Sequence, residues 1–197
     1  MAAFADTDEL IQFARTFLRD RTESLQRDVR VCTHGATAAF PAILYCFSTI
    51  DLLGALFGGD AESQKGMTGR SKEYARRFMH YSDDQCLLLW DVFRHKIVHL
   101  AQPNPVKEFK CKKTSWGYWH NDGEHHLKLV PIAPPIHKAV TSGLSIDAEQ
   151  RFEFSFHHLV LDIVDSVHLP GGYLHTLASD KVLQDKFTTA VGQIYKP

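Results

Sequence analysis

The stretch from Ala36 to Phe57 is the feature that most restricts the fold, because Asp51 is its single charged residue. It is long enough to cross a bilayer as a helix. Pro41 and the costly Asp51 argue against a membrane span, and neither an aromatic belt nor a basic cluster marks its ends. The pattern therefore predicts a helix over 38–57 that is buried all round in the core of a soluble, cytoplasmic protein.

Length and composition agree with such a core. The chain has 197 residues, 44% of them hydrophobic, and a formal net charge of −1. This predicts one domain, 1–197, and excludes both a disordered chain and a globally basic nucleic-acid coat. The four cysteines occur singly, which predicts free thiols rather than disulfides or a zinc knuckle. The first residues carry Asp6, Asp8 and Glu9 instead of a basic region, so we expect no secretory signal.

The apolar spacing changes along the chain from a helical period to an alternating one and back. Helices are predicted from Asp6 to about 31 and over 38–57, 70–81, 82–100, 157–169 and 179–195. Strands are predicted over 106–113, over 151–155 and in a hairpin around Asn121-Asp122-Gly123. We therefore expect a mainly α fold. A helical bundle core, 1–101, precedes a small antiparallel β-sheet insert, 106–156, and C-terminal helices, 157–197, complete the bundle.

The predicted helix over 82–100 is apolar on two sides. On a wheel with about 100° per residue, one face carries Phe93 with Cys86, Leu89, Trp90, Ile97 and Leu100. The opposite face carries Asp91, His95 and His99 together with Leu88 and Val98. A helix with two apolar faces is expected to be buried on both, so the inserted sheet or a second subunit should cover the second face.

The segment FRHKIVH, near the end of this helix, brings an arginine and two histidines to one side of it. His95 and His99 are four residues apart and are therefore neighbours, and Arg94 lies at their edge. This RxxxxH spacing, with a histidine directly after the arginine, is similar to the motif of the HEPN superfamily of helical ribonucleases and toxin-like proteins. The resemblance extends over about residues 5–101 and predicts a HEPN-like bundle.

The resemblance implies a homodimer that cleaves RNA without a metal ion or other cofactor. The subunits would meet through the second face of helix 83–100. His99 would act as base or acid, Arg94 would bind the phosphate and His95 would position either group. A role in stress response, as a toxin with an antitoxin partner, or in phage defence would follow.

Five further residues have supporting roles in this hypothesis. Asp91 lies one turn before His95 and would orient its ring. Asp51 needs a partner within the apolar helix and would support the bundle, with Arg94 as one candidate partner. The others would extend a track for RNA phosphates: Lys96, Arg76 and Arg77.

Other interpretations stay open. One is a catalytically silent module of the same fold that only dimerises, and another is a metal ion held by His95 and His99. Histidine is also over-represented, with 12 residues, and the predicted hairpin tip offers a divalent-ion site from His120 and His125 with Glu124 or His126. The last is an aromatic and basic surface for unstacked bases: Trp116, Tyr118 and Trp119 beside Lys110, Lys112 and Lys113.

Overall fold

The computed structural model describes residues 4–34, 38–94, 106–133, 136–138 and 145–196. Over this part the protein is mainly helical with a small β-sheet, so the predicted α+β composition is confirmed. The chain divides into two compact units. The helical unit comprises Met1–Val31, Tyr45–Asp83 and Val160–Pro197, and the sheet unit comprises Cys32–Leu44 and Asp84–Leu159. The single domain and the HEPN-like bundle stay predictions.

The predicted helices are present in the described residues, and most ends move by up to about three residues, as helix ends commonly do. The helix predicted over 82–100 is described up to Arg94, and 95–100 lie outside the described residues. A short helix after Gly172 was not predicted, because a segment of seven residues between Pro170 and Asp180 offers little periodicity. The helices are α1 (Thr7–Thr33), α2 (Ala39–Gly58), α3 (Met67–Phe78), α4 (Asp83–Leu88), α5 (Phe156–His168), α6 (Tyr173–Ser179) and α7 (Lys181–Ile194). A π-helix, Leu89–Arg94, follows α4 directly.

The apolar helix α2 is long and apolar enough to cross a membrane, and it is mostly buried, as the core helix of a soluble protein is. The prediction that it is buried all round is wrong. Pro41, Leu44 and Ser48 are exposed, and their spacing of three and four residues places them on one side of the helix. The helix therefore has a narrow solvent-facing stripe near its start.

Close packing of aromatic rings and helices characterises the helical unit. Tyr74, Phe78 and Tyr173 form a triangle with ring centroids 5.1 to 5.8 Å apart. At Gly54 of α2, an added Cβ would lie 2.7 Å from Ser71 Cα of α3. Only glycine permits this approach of the two helices without displacement of the backbone.

Six strands are present in the described part of the sheet unit. A four-stranded sheet has the order β1-β2-β6-β3, and a separate pair joins β4 and β5. Strand β6 pairs parallel with β2 and antiparallel with β3. The strands are β1 (Lys107–Phe109), β2 (Lys112–Trp119), β3 (Lys128–Pro131), β4 (Ile136–Lys138), β5 (Ser145–Asp147) and β6 (Gln150–Ser155).

The sheet is therefore mixed, and the predicted antiparallel insert with a hairpin at Asn121-Asp122-Gly123 is wrong. The two strands beside this turn do not pair with each other, because β6 lies between them. The polar residues form a local turn instead, in which the Glu124 N–H donates to Asp122 Oδ1 at 2.9 Å. The single strand predicted over 106–113 is also wrong, since a turn at Lys110 and Cys111 separates β1 from β2.

Alternation along β2 and β6 gives the sheet two different faces. On the aromatic face, Trp116, Phe152 and Phe154 surround Phe93 of the π-helix, with ring centroids 4.8 to 6.3 Å away. The other face is called the polar face here. It carries Gly117, Trp119, Arg151, Glu153 and Ser155, and Lys128 of β3 pairs in register with Glu153.

Candidate functional site

Only part of the predicted catalytic motif lies in the described residues. Arg94 is half-buried at the last position of the π-helix, whereas His95, Lys96 and His99 lie outside the described residues. The π-helix also corrects the predicted wheel, because hydrogen bonds in a π-helix link residues five apart and its turns are wider. The step of about 100° that placed Asp91 opposite Phe93 therefore does not apply between Leu89 and Arg94. Such π segments are frequent at functional sites.

Asp91, three residues before Arg94, has a defined partner. Its Oδ2 accepts from Lys107 Nζ of β1 at 2.7 Å, and the side chains are 21% and 37% exposed, respectively. Lys110 in the following turn forms a second ion pair with Asp84 of α4. The first strand pair is thus attached by two lysines to the helical segment that leads to Arg94. The Asp91 carboxylate, three residues before Arg94, is therefore paired with a cation.

The apolar residues on both sides of this segment are buried. Phe93 lies against the aromatic face of the sheet, and Leu88 and Val92 are 1% and 0% exposed. The inserted sheet packs its aromatic face on the Phe93 side of the helix, not on the second face that it was expected to cover. Cover of the second face by a second subunit stays a prediction.

Three other predicted residues lie in the helical unit. Asp51 of α2 accepts a hydrogen bond from Ser71 Oγ of α3 at 2.6 Å, which gives this carboxylate a neutral donor. Arg76 forms an ion pair with Asp83. Arg77 lies over the rings of Phe57 and Phe78, at 5.7 and 5.5 Å from their centroids. Its exposed guanidinium makes no ion pair with a described carboxylate, so Arg77 is better placed than Arg76 to meet a phosphate.

The polar face of the sheet contains a charged network around Glu153. Glu153 is fully buried, and burial of a carboxylate is costly unless hydrogen bonds satisfy it. Its Oε2 accepts from Trp119 Nε1 at 3.1 Å and contacts His125 Nδ1. Its Oε1 accepts from two nitrogens of Arg151. An ionised Glu153 thus has four N–H donors from three side chains.

This network determines how His125 presents its ring. Since an ionised carboxylate only accepts hydrogen bonds, the hydrogen between the two groups resides on His125 Nδ1. Nε2 then lies on the outer edge of the ring, 3.9 Å from Asp122 Oδ2. The imidazole stacks on the Trp119 indole, with centroids 4.6 Å apart and planes 28° from parallel. Trp119 is 37% exposed, so the stack borders solvent.

Two neighbouring histidines, His126 and His158, both contact Ser155. His126 Nδ1 accepts from the backbone N–H of Ser155 at 3.1 Å, and His158 Nδ1 lies 3.0 Å from Ser155 Oγ. His120 lies beside the rings of Tyr118 and Phe156. In the described part of the chain, no three His, Cys, Asp or Glu side chains converge in a way that could hold a metal ion. The alternative of a metal at His120, His125 and Glu124 or His126 therefore has no support there.

The aromatic residues of the predicted surface for unstacked bases lie on opposite faces of the sheet. Trp116 and Tyr118 lie on the aromatic face, where Trp116 packs against Phe93 and Tyr118 against Phe156. Trp119 lies on the polar face instead. Of the three predicted aromatic residues, Trp119 is therefore the one that solvent and ligands reach most readily.

Sequence reasoning missed the network of Glu153, Arg151, His125 and Trp119. One signal was present in RFEFSF, where Arg151 and Glu153 alternate with phenylalanines. Such alternation ordinarily indicates a solvated face, and nothing local shows that Glu153 is covered.

A search of protein-family models, curated proteins and solved structures gave no match to this chain.

Proposed function

We propose that the protein is a HEPN-like, metal-independent endoribonuclease. The observation that carries the proposal is the sequence Arg94-His95 followed by His99, which begins at the last residue of the π-helix. The ion pair between Asp91 and Lys107 supports it. An unpaired carboxylate three residues before Arg94 would weaken the attraction of a phosphate to this segment, and the ion pair with Lys107 reduces that repulsion.

The proposed chemistry follows from the three side chains. His99 takes the proton from a ribose 2′-hydroxyl, whose oxygen then bonds to the adjacent phosphorus. The bond from phosphorus to the 5′-oxygen breaks, and an acid, which in a dimer would be His99 of the partner subunit, returns a proton to that oxygen. Arg94 stabilises the charge that grows on the phosphate oxygens, for which a planar guanidinium is suited. His95 positions either group.

The test is incubation of the purified protein with single-stranded RNA in EDTA. Wild type should give fragments with 2′,3′-cyclic phosphate ends, whereas Arg94→Ala and His99→Ala should lose this activity at least about 100-fold, as removal of acid–base or charge stabilisation does. Arg27→Ala and His157→Ala are matched controls, because both side chains are exposed and lie outside the proposed site. Both controls should cleave like wild type.

The catalytically silent module is the opposing outcome of this test. It predicts no cleavage between about pH 6 and 8, where histidine changes its charge, together with a dimer in light scattering. Cleavage that survives in both Arg94→Ala and His99→Ala would also reject the proposal, because the activity would then come from another site or a contaminant.

A further inference from the structure

The stack of Trp119 and His125 on the polar face is partly open to solvent. The Trp119 side chain is 37% exposed and the His125 side chain 33% exposed. A large aromatic side chain with this exposure keeps ring surface that another flat, apolar ring can cover. Nucleobases fit such surfaces, because every base has a π-face and stacks on aromatic side chains.

The stack is also held in place before any ligand arrives. Trp119 Nε1 and His125 Nδ1 both meet Oε2 of the buried Glu153, so one carboxylate fixes both rings. The two nitrogens of Arg151 fix that carboxylate from its other oxygen. Ligand binding then immobilises few protein side chains, which lowers the entropic cost of association.

The charges around the stack suit a phosphate chain at one side. Lys128 is exposed, lies across from Glu153 in register and makes no ion pair with a described carboxylate. The described acids nearby are Asp122, which faces His125 Nε2, and the exposed Glu124 of the same loop. The polar face also carries Arg151, but its guanidinium is paired with Glu153. Stacking should therefore contribute more to binding than counterion release.

We infer that the Trp119–His125 stack, with Lys128 beside it, binds an unstacked base of single-stranded RNA. The inference rests on the proposed function for the choice of RNA as ligand. The site lies on the face of the sheet opposite to Phe93 of the π-helix, which packs on the aromatic face. It would hold substrate rather than take part in cleavage.

The test measures binding of a short fluorescein-labelled 2′-O-methyl oligouridylate by fluorescence anisotropy. This oligonucleotide cannot be cleaved through its 2′-oxygen, so binding is read independently of catalysis. Wild type should bind the single strand better than the matching duplex. Trp119→Ala should weaken binding about 5- to 150-fold, which is the range for loss of one stacked base. Lys128→Ala should weaken it less and reduce the salt dependence.

Trp119→Phe separates stacking from a structural role. Phenylalanine keeps a ring but loses the N–H that reaches Glu153, so stacking predicts binding within about threefold of wild type. If Trp119→Phe is as weak as Trp119→Ala, the indole supports the network and the inference fails. It also fails if wild type binds no single strand, or binds the duplex equally well. Lys65→Ala, at an exposed lysine of the helical unit, is the control for loss of a lysine.

The two proposals fail in distinguishable ways. Binding that depends on Trp119, without cleavage of natural RNA, would reject the ribonuclease and keep the base-stacking site. Cleavage of natural RNA that depends on Arg94, with binding indifferent to Trp119, would reject the base-stacking site and keep the ribonuclease.

Discussion

The two units bury their polar groups in opposite ways. In the helical unit the buried polar side chains are neutral, and Tyr74 and Ser166 are an example, with hydroxyl oxygens 3.0 Å apart. In the sheet unit the buried polar side chains include Glu153, which is the one charged side chain that is buried in the described residues. The helical unit therefore depends on shape and neutral hydrogen bonds, and the sheet unit depends on a complete set of donors around one charge.

This difference matters for function because buried charges orient other groups strongly. Burial makes a missing partner expensive, so each donor to Glu153 is held in one geometry. The consequence is a fixed Trp119–His125 stack at the surface of the sheet unit. Neutral hydroxyls in the helical unit impose much weaker constraints, and their effect is confined to packing.

Glu153→Ala should have the largest effect, because it leaves Arg151 and two ring N–H groups without their acceptor. We expect the free energy of unfolding to fall by about 3 kcal/mol, the low end for a broken buried ion pair, since Arg151 is partly exposed. Urea unfolding followed by tryptophan fluorescence measures this directly. All three tryptophans, Trp90, Trp116 and Trp119, lie in the sheet unit.

Glu108→Ala is the matched control for this change. Glu108 is exposed in β1, and exposed substitutions of this kind usually change stability by no more than about 0.5 kcal/mol. A loss below about 1 kcal/mol in Glu153→Ala, in the range of one neutral hydrogen bond, would contradict the contrast between the two units.

Gly54→Ala tests the helical unit's dependence on shape. Helix propensity alone would stabilise α2 by about 1 kcal/mol. The new Cβ would however lie 2.7 Å from Ser71 Cα, so α2 and α3 must separate. We expect a net loss of about 1 to 3 kcal/mol, as for an overpacked core. Urea unfolding followed by far-ultraviolet circular dichroism is the measurement.

Gly69→Ala is the control, and here we expect the substitution to increase the free energy of unfolding instead of lowering it. Gly69 lies within α3, and nothing is within 4 Å of a Cβ built there. The higher helix propensity of alanine is then the main effect, and the free energy of unfolding is expected to rise by roughly 0.5 to 1 kcal/mol. If Gly54→Ala also stabilises the protein, the close contact between α2 and α3 does not limit the packing of the helical unit.

The contrast between the helical unit and the sheet unit also explains which parts of the fold can be predicted from the sequence. Helical periodicity is local, so the spacing of Leu10, Ala14 and Leu18 is enough to predict α1 and its buried side. Strand order is not local, because Gly117 and Glu153 are paired although they are distant in the chain. The parallel pairing of β2 and β6 needs packing information that no short window of sequence contains.

The candidate sites divide in the same way. The motif of Arg94, His95 and His99 is a spacing within one predicted helix, so the sequence alone is sufficient to suggest it. The network of Glu153 combines residues from β2, β6 and the loop before β3. Its members become neighbours only once the sheet has formed, and no residue spacing encodes them.

Two buried tyrosines of the helical unit, Tyr74 and Tyr173, differ in the hydrogen bonding of their hydroxyl groups. The Ser166 hydroxyl donates to the Ile163 carbonyl at 2.7 Å, so Tyr74 donates to Ser166 Oγ. Tyr173 OH is buried without a hydrogen-bond partner in the described part of the chain. Burial raises the pKa of both phenols above the ordinary value, so both remain neutral and differ only in hydrogen bonding.

Tyr74→Phe should therefore cost about 1 kcal/mol, the usual net value of a hydrogen bond, and more if Ser166 is left unsatisfied. Tyr173→Phe should be neutral or slightly stabilising, because it removes a buried hydroxyl that gains no bond. Thermal unfolding of the two variants side by side is the comparison. A larger loss for Tyr173→Phe would show that its hydroxyl has a partner, such as a buried water.

His168 gives the smallest effect and tests whether the helical unit tolerates a new charge. Its Nε2 lies 2.9 Å from Thr22 Oγ1, and desolvation lowers its pKa, while Glu23 and Asp165 oppose that shift. The unfolded chain, with an ordinary pKa near 6.5, then binds the proton more readily than the folded protein. The contribution of His168 to the free energy of unfolding is therefore present in full above about pH 6.5. It is lost progressively as the pH drops towards the folded-state pKa.

Because His168 is exposed, solvent screening keeps this loss small. Comparing the free energy of unfolding at about pH 7.5 and 5.5, on either side of the histidine range, should show a smaller decrease in His168→Gln than in wild type. His157→Gln, at an exposed histidine of the sheet unit, should keep the wild-type decrease. An increase in wild-type stability relative to His168→Gln at the lower pH would mean that Glu23 and Asp165 outweigh desolvation, and that the helical unit stabilises a charge after all.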